Sequence, residues 1–408
     1  MSTGSLRRLL VVVAGAAAAV VGFGAVFAQV PDFLQVGARL TWQGGNSTLS
    51  GSRVVPDPQG PLERDGQRYR LEGTRGGGGI GLVQLNVIQS SPQAIVADVR
   101  YLLAGGPQLN VHTASGFDVV VGDGRGLGEY WRPPADLAAL QPGIDGNTRV
   151  SRGTAQFGGQ TLQVVSIATT GAGTYFSSTY DVASGLMLFS GTMNTQAGAQ
   201  VADDRGVRTD FAGAVVYSHQ AFIGVRQVTV PWGAETLPKS IAPGRGLSYQ
   251  GQNSVQNDPS LGLPALPGQP VAATFLFDRQ MGAAVVGRQV TQSFTTQGLP
   301  PLDSTSNRAF GSAQFDGVWV PPRVLGQLQP QQVLDQDPVS GQVVYFGGVT
   351  GAYGLIVVQG QADSLEQYYD MQSGLLAFSR YRVDAQGVVP NANGVGTQMT
   401  ELQLVGQQ

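Results

Sequence analysis

The chain has 408 residues, of which 42% are hydrophobic and 12% charged, with a formal net charge of -3. That is enough apolar surface to bury a core, and it supplies no basic stripe to replace counterions along a nucleic acid. With no cysteine in the sequence, disulfides, thiolate metal sites, a cysteine nucleophile and a lipidated amino-terminal cysteine are excluded.

Arg7 and Arg8 precede an uninterrupted small and apolar run from Leu9 to Ala28. A basic region, an apolar region and a small residue at the cleavage point make a secretory signal, so residues 1–28 are expected to be removed before Gln29. The competing reading is an uncleaved anchor, because about twenty apolar residues can span a bilayer. Contact with a membrane is expected only in that case.

A first unit is expected over residues 29–232. It opens with Gly37–Ser47, a strand containing Trp42, and carries an insertion within Ser52–Gly79. Short β-branched and aromatic runs follow at Ile80–Ile88, Ala94–Tyr101 and Phe117–Val121, separated by Gly, Pro, Ser and Asp clusters, and read as an antiparallel meander. Neither Gly76–Gly79 nor Gly122–Gly126 lies between a strand and a helix with a following Lys-Ser/Thr, so neither reads as a phosphate cradle.

Next comes W-x-P-P-x-x-L-x-x-L-Q-P, Trp131–Pro142. Proline suits a first helical turn, and Leu137 and Leu140 share one face of a short helix. Tyr180-Asp181-Val182-Ala183-Ser184-Gly185-Leu186 then combines an Asp that can accept from the following backbone with a glycine free to take positive φ, which is how a hairpin turn ends and a strand begins. Residues 233–240 read as a linker.

A second unit, residues 241–408, repeats the first. Gly244–Ser254, with Tyr249 in place of Trp42, echoes the opening strand; Trp319–Pro330 repeats the tryptophan-proline motif; Tyr369–Leu375 repeats the turn. The fold class expected is mainly β, with two tandem homologous antiparallel domains of curved-sheet, sandwich or half-barrel type, each with one short helix after W-x-P-P. Two copies of this length are too few and too long for a solenoid or propeller. In architecture alone this resembles the curved sheets of periplasmic lipid and lipoprotein carriers.

Chemistry-bearing residues are sparse. Trp131, Trp319, Trp42 and Tyr249 are the candidates for ligand or partner contact, since exposed rings stack on sugars or anchor partners; the alternative is a core role. His112 and His219 have no ligand-type spacing to a third group. Asp118, Asp123, Asp203 and Asp204 lack the spacing of a calcium loop. No cofactor, metal or nucleic-acid partner is expected. The reading is an exported, non-enzymatic envelope or surface protein that binds an envelope ligand or protein partner, or assembles. One alternative is a periplasmic carrier of apolar ligands such as lipid. The other is an envelope polymer hydrolase using Asp181, Asp370, Glu129 or Glu366.

Overall fold

In the computed structural model the described residues are 30–56, 62–64, 67–76, 79–105, 111–196, 200–202, 208–256, 266–293, 302–384 and 397–407. The expected export segment, Asp203 and Asp204 lie outside them. The chain forms two antiparallel sheets, each with a main path of ten strands.

The first half contributes β1 (Ala38–Pro56), β2 (Ile80–Ser91), β3 (Ala94–Gly105), β4 (Val111–Gly122), α1 (Pro134–Ala139), β5 (Gly143–Asp145), β6 (Thr148–Phe157), β7 (Gln160–Gly171), β8 (Thr174–Asp181), β9 (Met187–Gln196) and β10 (Arg208–Gln227). The second contributes β11 (Gly246–Gln256), β12 (Leu266–Met281), β13 (Ala284–Ser293), β14 (Leu302–Phe310), α2 (Pro322–Leu325), β15 (Gln332–Gln336), β16 (Val343–Thr350), β17 (Tyr353–Gln359), β18 (Asp363–Asp370), β19 (Leu376–Asp384) and β20 (Thr397–Gln407). Strand order is β4-β3-β2-β1-β10-β9-β8-β7-β6-β5 in one and β14-β13-β12-β11-β20-β19-β18-β17-β16-β15 in the other, so each strand of the first half has its counterpart ten strands later. The insertion in the first half supplies two further strands, Gln67–Gly76, which pairs alongside the far part of β1, and Leu62–Arg64, which pairs with Gln67–Gly76.

Even the irregularities recur. A register shift between Thr41 and Trp42 against β10 matches one between Ser248 and Tyr249 against β20. A second shift, between Thr179 and Tyr180, matches one between Tyr368 and Tyr369. Bulges of this kind bend and twist a strand, and the first sheet is strongly rolled. Phe157 on β6 stacks on Phe222 of β10 with ring centroids 5.4 Å apart, whereas four strand spacings in a flat sheet would separate them by about 19 Å.

Each core lies between the sheet and the connection that carries the short helix. In the first half Leu40, Trp42, Val83, Leu85, Val87, Ala97 and Val99 face Leu127, Tyr130, Trp131 and Leu137. In the second, Leu247, Tyr249, Ala273, Phe275 and Phe277 face Phe315, Trp319, Val324 and Leu325. The second core also takes in Val228, Val230, Trp232 and Ile241, so chain that follows β10 directly already belongs to it, ahead of the linker expected at residues 233–240.

The two repeated sequence motifs turn out to grip each other. Trp131 Nε1 donates to the carbonyl of Ser184 at 3.0 Å, and Trp319 Nε1 donates to the carbonyl of Ser373 at 3.1 Å. A buried indole N–H needs such an acceptor, and the turn carbonyl supplies it. The turn is itself closed from within, because the Asp181 and Asp370 carboxylates accept from the Ser184 and Ser373 N–H groups at 2.9 and 2.7 Å. Gly185 and Gly374 sit at φ +77° and +74°, where a side chain would also run into the Arg132 or Val320 carbonyl oxygen.

That geometry predicts that Gly374→Ala lowers the stability of the chain by about 2–4 kcal/mol in chemical denaturation. Gly153→Ala, at a position with open space around it and no positive φ, should change stability by less than about 0.5 kcal/mol in the same measurement.

Candidate functional site

The four aromatic residues expected at a contact surface are all inside. Trp42 is 0% exposed, Trp131 and Tyr249 1% and Trp319 8%. Trp42 Nε1 donates to the Met187 carbonyl at 3.0 Å, and Tyr249 donates its hydroxyl to the equivalent Leu376 carbonyl at 2.9 Å. Each ring thus caps a strand end within its own core, with its one polar atom satisfied, and no ring face is offered to a partner.

The carboxylates named for hydrolysis are not brought together by any contact. Asp181 and Asp370 each serve their own turn, and the Ser373 N–H and hydroxyl hold the Asp370 carboxyl below its ordinary range. Burial pushes the Glu129 carboxyl up. Glu366 accepts from Arg380 and from the Tyr368 hydroxyl, both at 3.1 Å. His112 lies on β4 and His219 on β10. Among the described residues no three His, Asp or Glu side chains gather to hold a metal.

Two features went unread in the sequence. One is the seam between the halves. Strands β1, β2 and β3 alternate strictly: Leu40, Trp42, Leu85, Val87, Ala97 and Val99 enter the core, while Arg39, Gln84, Asn86, Asp98 and Arg100 point the other way. That second face is covered by the other half. Arg39 donates to Asp337 at 3.0 Å and to Asn86 at 2.6 Å, Gln84 donates to the same Asp337 oxygen at 2.7 Å, and Arg226 grips Asp335 through two bonds of 2.8 and 2.6 Å. Arg100 pairs with Asp316, and the Arg308 guanidinium lies 4.1 Å above the Phe117 ring, between Asp98 and Asp316. Four arginines meet four aspartates, and the charges cancel.

Burial alone would raise the Asp337 carboxyl, but Arg39, the Val339 N–H, Arg226 and Gln84 outweigh it and hold it down to about 2. Asp98 behaves in the opposite way. Its oxygens come no closer than 3.6 and 3.9 Å to guanidinium nitrogens, and burial pushes it up to about 6. Asp337 also closes a turn, accepting from the Val339 N–H at 3.0 Å, with Gly341 at φ +73°. Asp337-Pro338-Val339-Ser340-Gly341 is therefore a third D-x-x-S-G turn, with one carboxylate oxygen spared for the seam.

The other feature is an aromatic platform on the outer face of β8, β9 and β10. Tyr175, Met193 and Tyr217 form one cross-strand row, Ser177, Gly191 and His219 the next, Thr179, Phe189 and Ala221 the third. Tyr175, Phe189 and Tyr217 are 37–38% exposed. Rings lie down over glycines here: a Cβ on Gly191 would be 3.5 Å from Phe189 Cε1, and one on Gly45 would be 2.7 Å from His219 Cε1. Tyr217 and His219 are nearly parallel, 25° apart with centroids at 5.6 Å. On the opposite, core-side face a shallow groove of about 270 Å³ lies over Gly44 and Gly81, between Tyr101, Leu103 and Gln220.

No protein-family model and no curated protein matches the chain. A solved structure of transferrin binding protein B from Haemophilus parasuis Hp5, a vaccine antigen carrying two substitutions, is similar to 93% of this chain over 77% of its own length, at 9% identity and a TM-score of 0.16. Similarity that slight transfers neither fold nor function.

The seam predicts a specific acid response. Asp337 has a folded-state pKa below its ordinary value of 3.8, so its contribution is complete above pH ~4 and is lost as the pH falls toward ~2. Asp337→Asn is expected to cost about 3 kcal/mol at pH 7, because buried Arg39 loses its hydrogen-bonded counter-charge and keeps only Asp335 at 3.7 Å. In urea titrations at pH 7 and pH 2.5 the gap between wild type and variant should narrow at the lower pH; a gap independent of pH would remove Asp337 from the seam's energetics.

Proposed function

We propose that this is an exported, non-enzymatic envelope or surface protein that acts by binding or assembly, with two like-ordered β halves descended from one duplicated domain. The observation that carries the reading is the partly exposed aromatic platform on β8–β10. Solvent-facing aromatic clusters are the composition of binding patches, and they are disfavoured on a surface that has no use for them. The basic and apolar segment ahead of Gln29 supports export. Among the described residues no helix is long and apolar enough to cross a membrane. The seam supports a presenting role as well, because it fixes the platform relative to the second half rather than leaving it on a loose module.

Native mass spectrometry of the protein recovered from its source is the test. The expected spectrum shows a chain beginning at Gln29 that carries a bound ligand or partner or forms a defined oligomer. A chain that keeps residues 1–28, stays in the cytoplasm and is monomeric and bare would overturn the reading.

A further inference from the structure

The platform occupies strand positions that the second half also possesses, and there the chemistry is different. In the same register as Ser177, Gly191 and His219 stand Glu366, Arg380 and Glu401. Arg380 donates to Glu401 at 2.8 Å and to Glu366 at 3.1 Å, and its guanidinium lies 5.6 Å from the Phe378 ring centroid. Phe378, the counterpart of Phe189, packs in turn against Tyr368 at 5.4 Å. That ladder consumes its own donors and acceptors. In the first half the charges are missing, a glycine replaces the arginine, and Phe189 and His219 lie against the glycines beside them, with Tyr175, Phe189 and Tyr217 more than a third exposed.

We propose that the outer face of β8–β10 is a stacking platform for the sugar rings of a neutral glycan. This rests on the binding function proposed above and names its ligand class. Flat aromatic faces on a sheet select ligands that have a ring face of their own. Nucleobases meet that condition, but they arrive with phosphates that need arginine or lysine, and none of the nine positions in the three rows is Arg, Lys, Asp or Glu. An acidic or basic polymer likewise finds no counter-charge there. A pyranose ring has an apolar face of C–H groups for the rings and a rim of hydroxyls. The hydroxyls of Ser177 and Tyr217 each lie 3.6 Å from where a Gly191 Cβ would be, and Phe189 Cε1 lies 3.5 Å from the same point, so the hydroxyls are placed beside the ring to bond that rim. Successive rows lie about 6.8 Å apart along the strands, so a chain of sugars crossing them meets more than one ring.

The test is a titration of the full exported chain with neutral hexasaccharides of glucose and of N-acetylglucosamine, followed by calorimetry and by saturation transfer from the tyrosine ring protons. Saturable binding of at least one is expected, weakened about tenfold or more by Tyr217→Ala and by Tyr175→Ala on a different strand. Tyr217→Phe, which keeps the ring, should retain most of the affinity, and Arg380→Ala in the second half should change nothing. Both tyrosines are more than a third exposed, and unchanged thermal melts of the variants would confirm that the fold is intact. Binding that is indifferent to both alanine variants, or no binding of either sugar by the folded chain, overturns the proposal. A chain that ignores both sugars yet leaves its source with a protein cross-linked through position 175 also overturns it, while the broader binding function stands.

Discussion

The architecture depends on one decision made along β1, β2 and β3: both faces of the sheet are buried, one by apolar side chains and the other by charge beside a small apolar patch in which Ile88 and Val96 meet Ala284 and Ala309. A strand that alternates apolar and polar residues usually sets its polar side in water. Here Arg39, Gln84, Asp98 and Arg100 face a second protein layer, and withdrawing them from solvent is costly unless every charge finds its partner. The solution is electroneutral, with Arg39, Arg100, Arg226 and Arg308 set against Asp98, Asp316, Asp335 and Asp337. Such a seam adds little net stability over an apolar one. Slippage at such a seam would leave a buried charge without its counter-ion, at a cost of several kcal/mol.

Within that seam the aspartates are not equivalent. Asp337 is fixed by its own turn and meets Arg39 and Gln84 with the oxygen the turn does not use. Asp98 lies on a strand, where backbone geometry allows no such adjustment, and its oxygens stay beyond hydrogen-bond reach of Arg100 and Arg308. One carboxyl is therefore held low by Arg39 and Arg226, while at the other burial outweighs the pull of Arg308 and Arg100. The difference is one of placement rather than of net charge.

The sequence made the scaffold legible and the surface illegible, for a physical reason. Turn chemistry is local: D-x-x-S-G and W-x-P-P carry their conformational preferences within a few residues, so the short helices and the closing turns of both halves could be read directly. That Trp131 and Ser184 bond to each other was implicit in the fact that both motifs repeat together, yet no spacing rule connects residues 53 apart in the chain. The seam was harder still. Its residues lie up to 298 apart, and they do not repeat: the second half has Gly246, Thr274, Leu276 and Val290 in the register of Arg39, Gln84, Asn86 and Arg100. A search guided by what recurs passes over them. The third D-x-x-S-G turn, at Asp337, was the one local signal that pointed there.

The same logic separates framework from function in this chain. What the halves share is what each needs in order to fold, namely the bulges, the indole-to-turn bond and the helix beneath the tryptophan. Where they differ, the folding of a single half places no demand on the residue: at the seam its identity reports the docking of the two halves, and at the outer face of β8–β10 it reports another constraint. Gly191 illustrates this. A glycine in a strand interior weakens the strand, and its counterpart Arg380 shows that the position tolerates a large side chain. Phe189 and His219 settle over Gly191 and Gly45 and recover part of the lost cover. The outcome is an uncharged aromatic surface, which the charged ladder of the second half cannot provide.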